Sequence, residues 1–120
     1  MLPMDWSTGA LAEGLACYAR ADYFNAHEYW EELWRQSQGE QKHLLQAHIH
    51  LAVGLCHEQR GNSRGALAQM RKAIAHLEHC PPYLEGVDVL QLQAEIKPWI
   101  QWFEDPAEGK PLIPQVGPRE

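Results

Sequence analysis

Apolar residues recur along this chain at spacings of three and four, and no stretch alternates apolar with polar residues long enough to propose a strand. The pattern predicts an all-α fold. Leu11, Leu15 and Tyr18 share a stripe, which places a first helix from just after Ser7 or Thr8, either of which can cap free backbone N–H groups, to near Arg20. A second helix covers residues 23–35, YFNAHEYWEELWR, and closes at Ser37-Gln38-Gly39, where glycine permits left-handed backbone. A third runs from about Glu40 to Arg60 and stops at Gly61-Asn62. The fourth, roughly Ser63 to His79, carries Ala66, Met70, Ala73, Ile74 and Leu77 on one stripe and halts at Cys80-Pro81-Pro82. Asp88 is a candidate N-cap for a last helix in which Leu92, Ile96, Trp99, Ile100 and Phe103 share a face. Pro98 within it removes an N–H and clashes with the preceding turn, so a kink or a split is expected there.

The expected architecture is a compact bundle of four to five helices built from helical hairpins, over residues 1–104. The segment 105–120, DPAEGKPLIPQVGPRE, holds four prolines and two glycines and reads as an extended or mobile tail. A weak internal echo supports the hairpins. When RADYFNAHEYWEELW from Arg20 is laid over RGNSRGALAQMRKAI from Arg60, Ala26 meets Ala66, Trp30 meets Met70 and Trp34 meets Ile74. Tetratricopeptide-type stacking repeats in this manner, although two units fall short of a solenoid.

Composition narrows the function classes. A chain of 120 residues, 45% hydrophobic and 22% charged, fits one soluble domain, and no apolar run approaches the roughly 20 residues of a membrane span. The opening MLPMDWSTG lacks the basic and apolar segments of a secretory signal, so a cytoplasmic location is expected. Cys17, Cys56 and Cys80 are widely spaced with no Cys-x-x-Cys pair, and are expected to be reduced core thiols. A net charge of −6 without a basic cluster argues against nucleic acid as a partner.

Candidate chemistry concentrates in the second helix. At about 100° per residue, Tyr23, Trp30 and Trp34 lie within about 60° of His27 on one side, and Phe24 and Glu31 within about 60° on the other. His27 and Glu31 are therefore expected inside an aromatic stripe, with Glu28 at its border. A carboxylate there needs a partner or a cation. Two readings follow from the same residues. In one, His27 and Glu31 pair one turn apart and, with Gln46 and Trp34, form a polar network that fixes helix register in a binding or interaction module. In the other, His27, Glu31 and His50 ligate a divalent zinc, manganese or iron ion, Gln46 supports them, and Glu28 or Glu31 serves as general base of a hydrolase. His-Glu-x-x-Glu lacks the second histidine of a zincin, and no duplicated Glu-x-x-His motif points to a di-iron bundle.

The third helix holds His43, Gln46, His50 and His57 along one stripe, of which His43 and His57 are expected to be solvated. His48 falls in the apolar arc and reads as a hydrogen-bonded core histidine. His76 and His79 read as last-turn residues favoured by the helix dipole. Trp99 and Trp102, three apart, are not both expected in the core, and one is a candidate homodimer surface.

The segments YFNAHEYWEELW, LLQAHIHLAVGL, GNSRGALAQMRKAIAHLE and YLEGVD together resemble the domain of unknown function 309 family, over about residues 11 to 97. The resemblance is carried by His27, Glu28, Glu31 and Trp34, by Leu44, Leu45 and Gln46, by Gly65, Lys72, Ala73 and Leu77, and by Gly86 and Asp88. It implies an all-α bundle and a family labelled as a predicted metal-dependent hydrolase. His50 and His57 depart from the family pattern, which leaves His27, Glu28, Glu31 and Gln46 as the residues the resemblance favours.

Overall fold

A computed structural model describes residues 3–106 and 109–119. Five helices follow in order: α1 (Gly9–Ala19), α2 (Tyr23–Trp34), α3 (Gly39–Gln59), α4 (Ser63–Leu77) and α5 (Val89–Glu104). Each packs on the helix before it, so α1/α2 and α3/α4 are two hairpins and α5 closes against α4. The Cα radius of gyration, 13.4 Å, is that of a compact chain of this length. Trp30, Leu44, Leu45, Leu51, Leu55, Met70, Leu77, Leu92, Ile96 and Trp99 form the dry interior.

The internal echo is built into the turns. In the first, Arg20 and Asp22 N–H groups both donate to the Cys17 carbonyl and Ala21 N–H donates to Tyr18; in the second, Arg60 and Asn62 donate to His57 and Gly61 to Glu58. Ala21 and Gly61 are both left-handed, with φ of 61° and 76°. The next residue then caps the following helix: the Asp22 side chain accepts from Asn25 N–H and the Asn62 side chain from Gly65 N–H. Asp88 caps α5 in the same way, through Gln91 N–H. Thr8 occupies the N-cap position of α1 without a side-chain cap bond.

Between α4 and α5 lies an element the periodicity did not announce. Tyr83–Leu84 (β1) and Val87–Asp88 (β2) pair antiparallel, Tyr83 opposite Asp88 and Leu84 opposite Val87. Two-residue strands are too short to show alternation. What makes the hairpin is its turn, because Glu85 and Gly86 both have positive φ, 51° and 81°, as a type I′ connection requires. α5 is a single helix running through Pro98, not a split one. Pro98 and Ala94, the residue whose carbonyl loses its partner, are both exposed, so water meets the unpaired oxygen.

The C-terminal segment is extended, as its composition indicates, and it is docked along the bundle as a strap. Tyr18 Oη donates to Pro114 O at 2.7 Å, Trp99 Nε1 to Leu112 O at 2.8 Å, and Gln115 N to Glu95 Oε1 at 2.8 Å. Arg119 N donates to Gly86 O and its guanidinium pairs with Glu95 at 2.7 Å. Pro114 and Gly117 are the buried residues of the strap.

Candidate functional site

The line of α2 that enters the core is Tyr23, Ala26 and Trp30. Phe24, counted in the aromatic stripe by residue type, is 49% exposed. The buried face is therefore centred on Ala26 and Trp30, and His27 and Glu31 flank it at the solvent border instead of occupying its centre. Their side chains are 17% and 34% exposed.

At that border the imidazole is oriented by its own helix. His27 Nδ1 meets the Phe24 carbonyl oxygen, which can only accept, so Nδ1 carries the hydrogen and donates. The Phe24 ring meets the imidazole edge-on, with centroids 5.1 Å apart. Nε2 then points at Glu31 Oε2 across 3.5 Å, and two lone pairs cannot face each other without a proton or a cation between them. Glu28, exposed, completes a group: one donor atom each from His27, Glu28 and Glu31 lie within 4.8 Å of one another. An imidazole fixed through Nδ1 by a carbonyl, beside two carboxylates, is a donor set that suits a divalent transition metal.

The other residues expected at this site lie elsewhere. His50 faces α4, where its Nδ1 donates to Gln69 Oε1 at 2.7 Å and its ring stacks on His76; it does not join His27 and Glu31. The third-helix stripe turns this way because the Gly61-Asn62 turn folds α4 onto it. Gln46 is half-buried and makes no hydrogen bond to the His27–Glu31 pair among the described residues. Trp34 has its Nε1 buried without a partner, while the Lys42 ammonium lies 4.9 Å from the ring centroid. The pair thus stands without Gln46 and Trp34 bonded to it.

His48 is fully buried. Its Nδ1 donates to Leu44 O at 2.8 Å and its Nε2 accepts from Gly117 N at 3.1 Å, while Trp6 and Trp30 contact the ring. Burial pushes its pKa down to about 4 against the Leu44 hydrogen bond, so the ring is neutral and both nitrogens are used. The strap is thereby tied to the core at Gly117, a link that neither periodicity nor composition signals.

Sequence reasoning also missed a gathering of histidines. His43, expected to be solvated, is half-buried with its Nδ1 2.9 Å from His76 Nδ1, and its ring stacks on His79 at 4.3 Å. Burial lowers the pKa of His50 and of His76, with Lys72 adding to the first and the neighbouring imidazoles to the second. His57 sits instead at the interhelical turn, 3.2 Å from Asn62 Nδ2. All three cysteines are free thiols, and burial, with Glu40 nearby, raises Cys80 to about 11. Trp99 is core; Trp102 packs against it edge-on and is partly buried. No helix among the described residues is long and apolar enough to cross a membrane.

Comparison with known proteins agrees with this architecture. The sequence profile of the domain of unknown function DUF309 matches residues 11–69. A conserved hypothetical protein of Thermus thermophilus, known from its crystal structure, superposes with a TM-score of 0.66 at 32% identity, covering 83% of this chain and 99% of that one. An uncharacterised protein of Aquifex aeolicus (strain VF5) is 24% identical over 88 residues, 72% of this chain and 26% of its own length. The uncharacterised protein YpuF of Bacillus subtilis (strain 168) is 37% identical over 62 residues, 51% of this chain and 36% of its own. The chain thus spans about a quarter to a third of the length of these two relatives.

Proposed function

The chain belongs to the DUF309 family of unknown function, and from that footing we propose that it is a helical binding module whose α2 edge holds a divalent metal ion between His27, Glu28 and Glu31. One observation carries the reading: the Phe24 carbonyl holds the hydrogen of His27 on Nδ1 and leaves Nε2 aimed at a carboxylate. A cation there satisfies the imidazole and both acids together, whereas a proton satisfies only one pair. Three protein donors on one open helix face leave positions for water or a partner's ligand.

The test is calorimetric titration of tag-free protein with Zn²⁺ and Mn²⁺. The wild type is expected to bind one equivalent more than His27→Ala, with that equivalent weakened in Glu31→Gln. Titration curves for wild type and His27→Ala that coincide would overturn the reading. A metal-dependent hydrolase is the second reading, favoured by the exposed Glu28 carboxylate beside the two partly buried donors. A bound divalent ion supplies Lewis acidity, and Glu28 is the residue placed to hold a proton at its edge. Loss of hydrolysis of an ester or phosphoester probe in Glu28→Gln, with metal binding retained, separates it from the binding reading. With Trp99 in the core, a homodimer is proposed through the partly buried Trp102, and is tested by sedimentation of wild type against Trp102→Asp.

A further inference from the structure

The α3/α4 hairpin brings together four histidines that have no part in the α2 group: His43 and His50 from α3, His76 from α4, and His79 just beyond it. His43 Nδ1 and His76 Nδ1 lie 2.9 Å apart and face each other in a hydrogen bond, so one ring donates and the other accepts. Two imidazole nitrogens on one tetrahedral zinc ion stand about 3.3 Å apart, so a metal needs the pair to open by a few tenths of an ångström and both rings to turn until their Nδ1 atoms aim at one point beside the line that joins them. His79 lies flat on His43 at a centroid distance of 4.3 Å and an interplanar angle of 12°; it is exposed, so its side chain has room to turn, as it must to offer a nitrogen to the pair. His50 stacks on the other side of His76, within 4° of parallel, and Gln69 holds its Nδ1 hydrogen.

We infer that His43 and His76, through their Nδ1 atoms and with His79 as third donor, form a second site that takes a borderline transition-metal dication such as zinc or nickel. A carboxylate-free imidazole set selects against magnesium and calcium. Occupancy would clamp α3 to α4, independently of the α2 group.

The experiment uses the full chain carrying His27→Ala, so that the α2 group is disabled and the two sites are read separately. Zn²⁺ is titrated while long-range ¹H–¹⁵N spectra follow the ring nitrogens. One equivalent is expected, with the His43 and His76 Nδ1 resonances moving together, and affinity at least about tenfold weaker in the His27→Ala/His76→Gln double variant. Where circular dichroism shows the double variant to be misfolded, the ring-nitrogen shifts in the His27→Ala chain decide by themselves. No zinc binding to the His27→Ala chain, or binding that leaves the His43 and His76 nitrogens unmoved, overturns the inference.

Discussion

Gly14 and Trp30 are in such close contact that a Cβ on Gly14 would lie 2.1 Å from the indole Nε1. Trp30 is fully buried, and the same nitrogen approaches Leu11 O at 3.4 Å. The second hairpin repeats the device, with Gly54 opposite Met70 and a built Cβ 3.3 Å from Met70 Cε.

The difference in partner predicts a difference in tolerance. Gly14→Ala must push a rigid indole out of a full core and is expected to cost about 3 kcal/mol. Gly54→Ala meets the flexible Met70 thioether but also Gln69 Cβ at 3.3 Å and the Ala66 carbonyl at 3.4 Å, so α3 and α4 must part by a few tenths of an ångström and the cost, offset in part by helix propensity, is expected at about 1 kcal/mol, below that of Gly14→Ala. Urea denaturation of both variants checks the ranking.

The left-handed turn residues predict opposite signs for opposite substitutions. Ala21, at φ 61°, bears a strain of about 1–2 kcal/mol that Ala21→Gly relieves, less the extra freedom glycine gives the unfolded chain. A net gain of about 0.5 kcal/mol is expected. Gly61→Ala, at φ 76°, should lose about 1 kcal/mol. Thermal melts of the two single variants read this directly.

His48 predicts acid sensitivity. Its folded pKa, about 4, lies below the unfolded 6.5, so between those values the unfolded chain binds a proton that the folded chain refuses. Stability is full above pH 6.5 and falls as pH drops toward 4, by about 3 kcal/mol from this group. His50 and His76, also lowered, act in the same direction. Denaturant midpoints at pH 7.5 and 4.5 should therefore differ less in His48→Gln than in wild type, whatever the variant's stability at pH 7.5.

Tyr18→Phe removes the buried hydroxyl that donates to Pro114 O and leaves that carbonyl unpaired. A loss of about 1–2 kcal/mol is expected, together with faster hydrogen exchange at the Gly117 amide, which a purely local effect in α1 would not produce.

Helix positions were largely legible, and among the caps Asp88 was, whereas Asp22 and Asn62 were not recognised and Thr8 makes no side-chain cap bond. Apolar stripes locate α3, α4 and α5, Asp88 is the α5 cap, and His48 is the hydrogen-bonded core histidine its place in the apolar arc implies. The strap was legible only as extended chain, because its anchors are single bonds from Tyr18, Glu95, Trp99 and His48 and leave no periodic trace. The His27–Glu31 contact follows from one-turn spacing, yet its position at the rim does not, since residue type cannot tell that Phe24 faces water. The stripe of His43 and His50 was visible, but its partner was misjudged. In an antiparallel hairpin, residues about equally far from the turn meet, and that geometry pairs His43 with His76 and His50 with Gln69.

The repeated turn leaves its arms free to differ. Positions equivalent to His27, Glu28 and Glu31 in the second hairpin hold Leu67, Ala68 and Arg71, none of them in the core. Neither the left-handed corner nor the glycine–large-residue contact depends on those outward sites. A scaffold built twice can thus keep its corners and its packing while its arms carry different side chains outside the core, carboxylates beside one histidine on α2 and a group of histidines between α3 and α4.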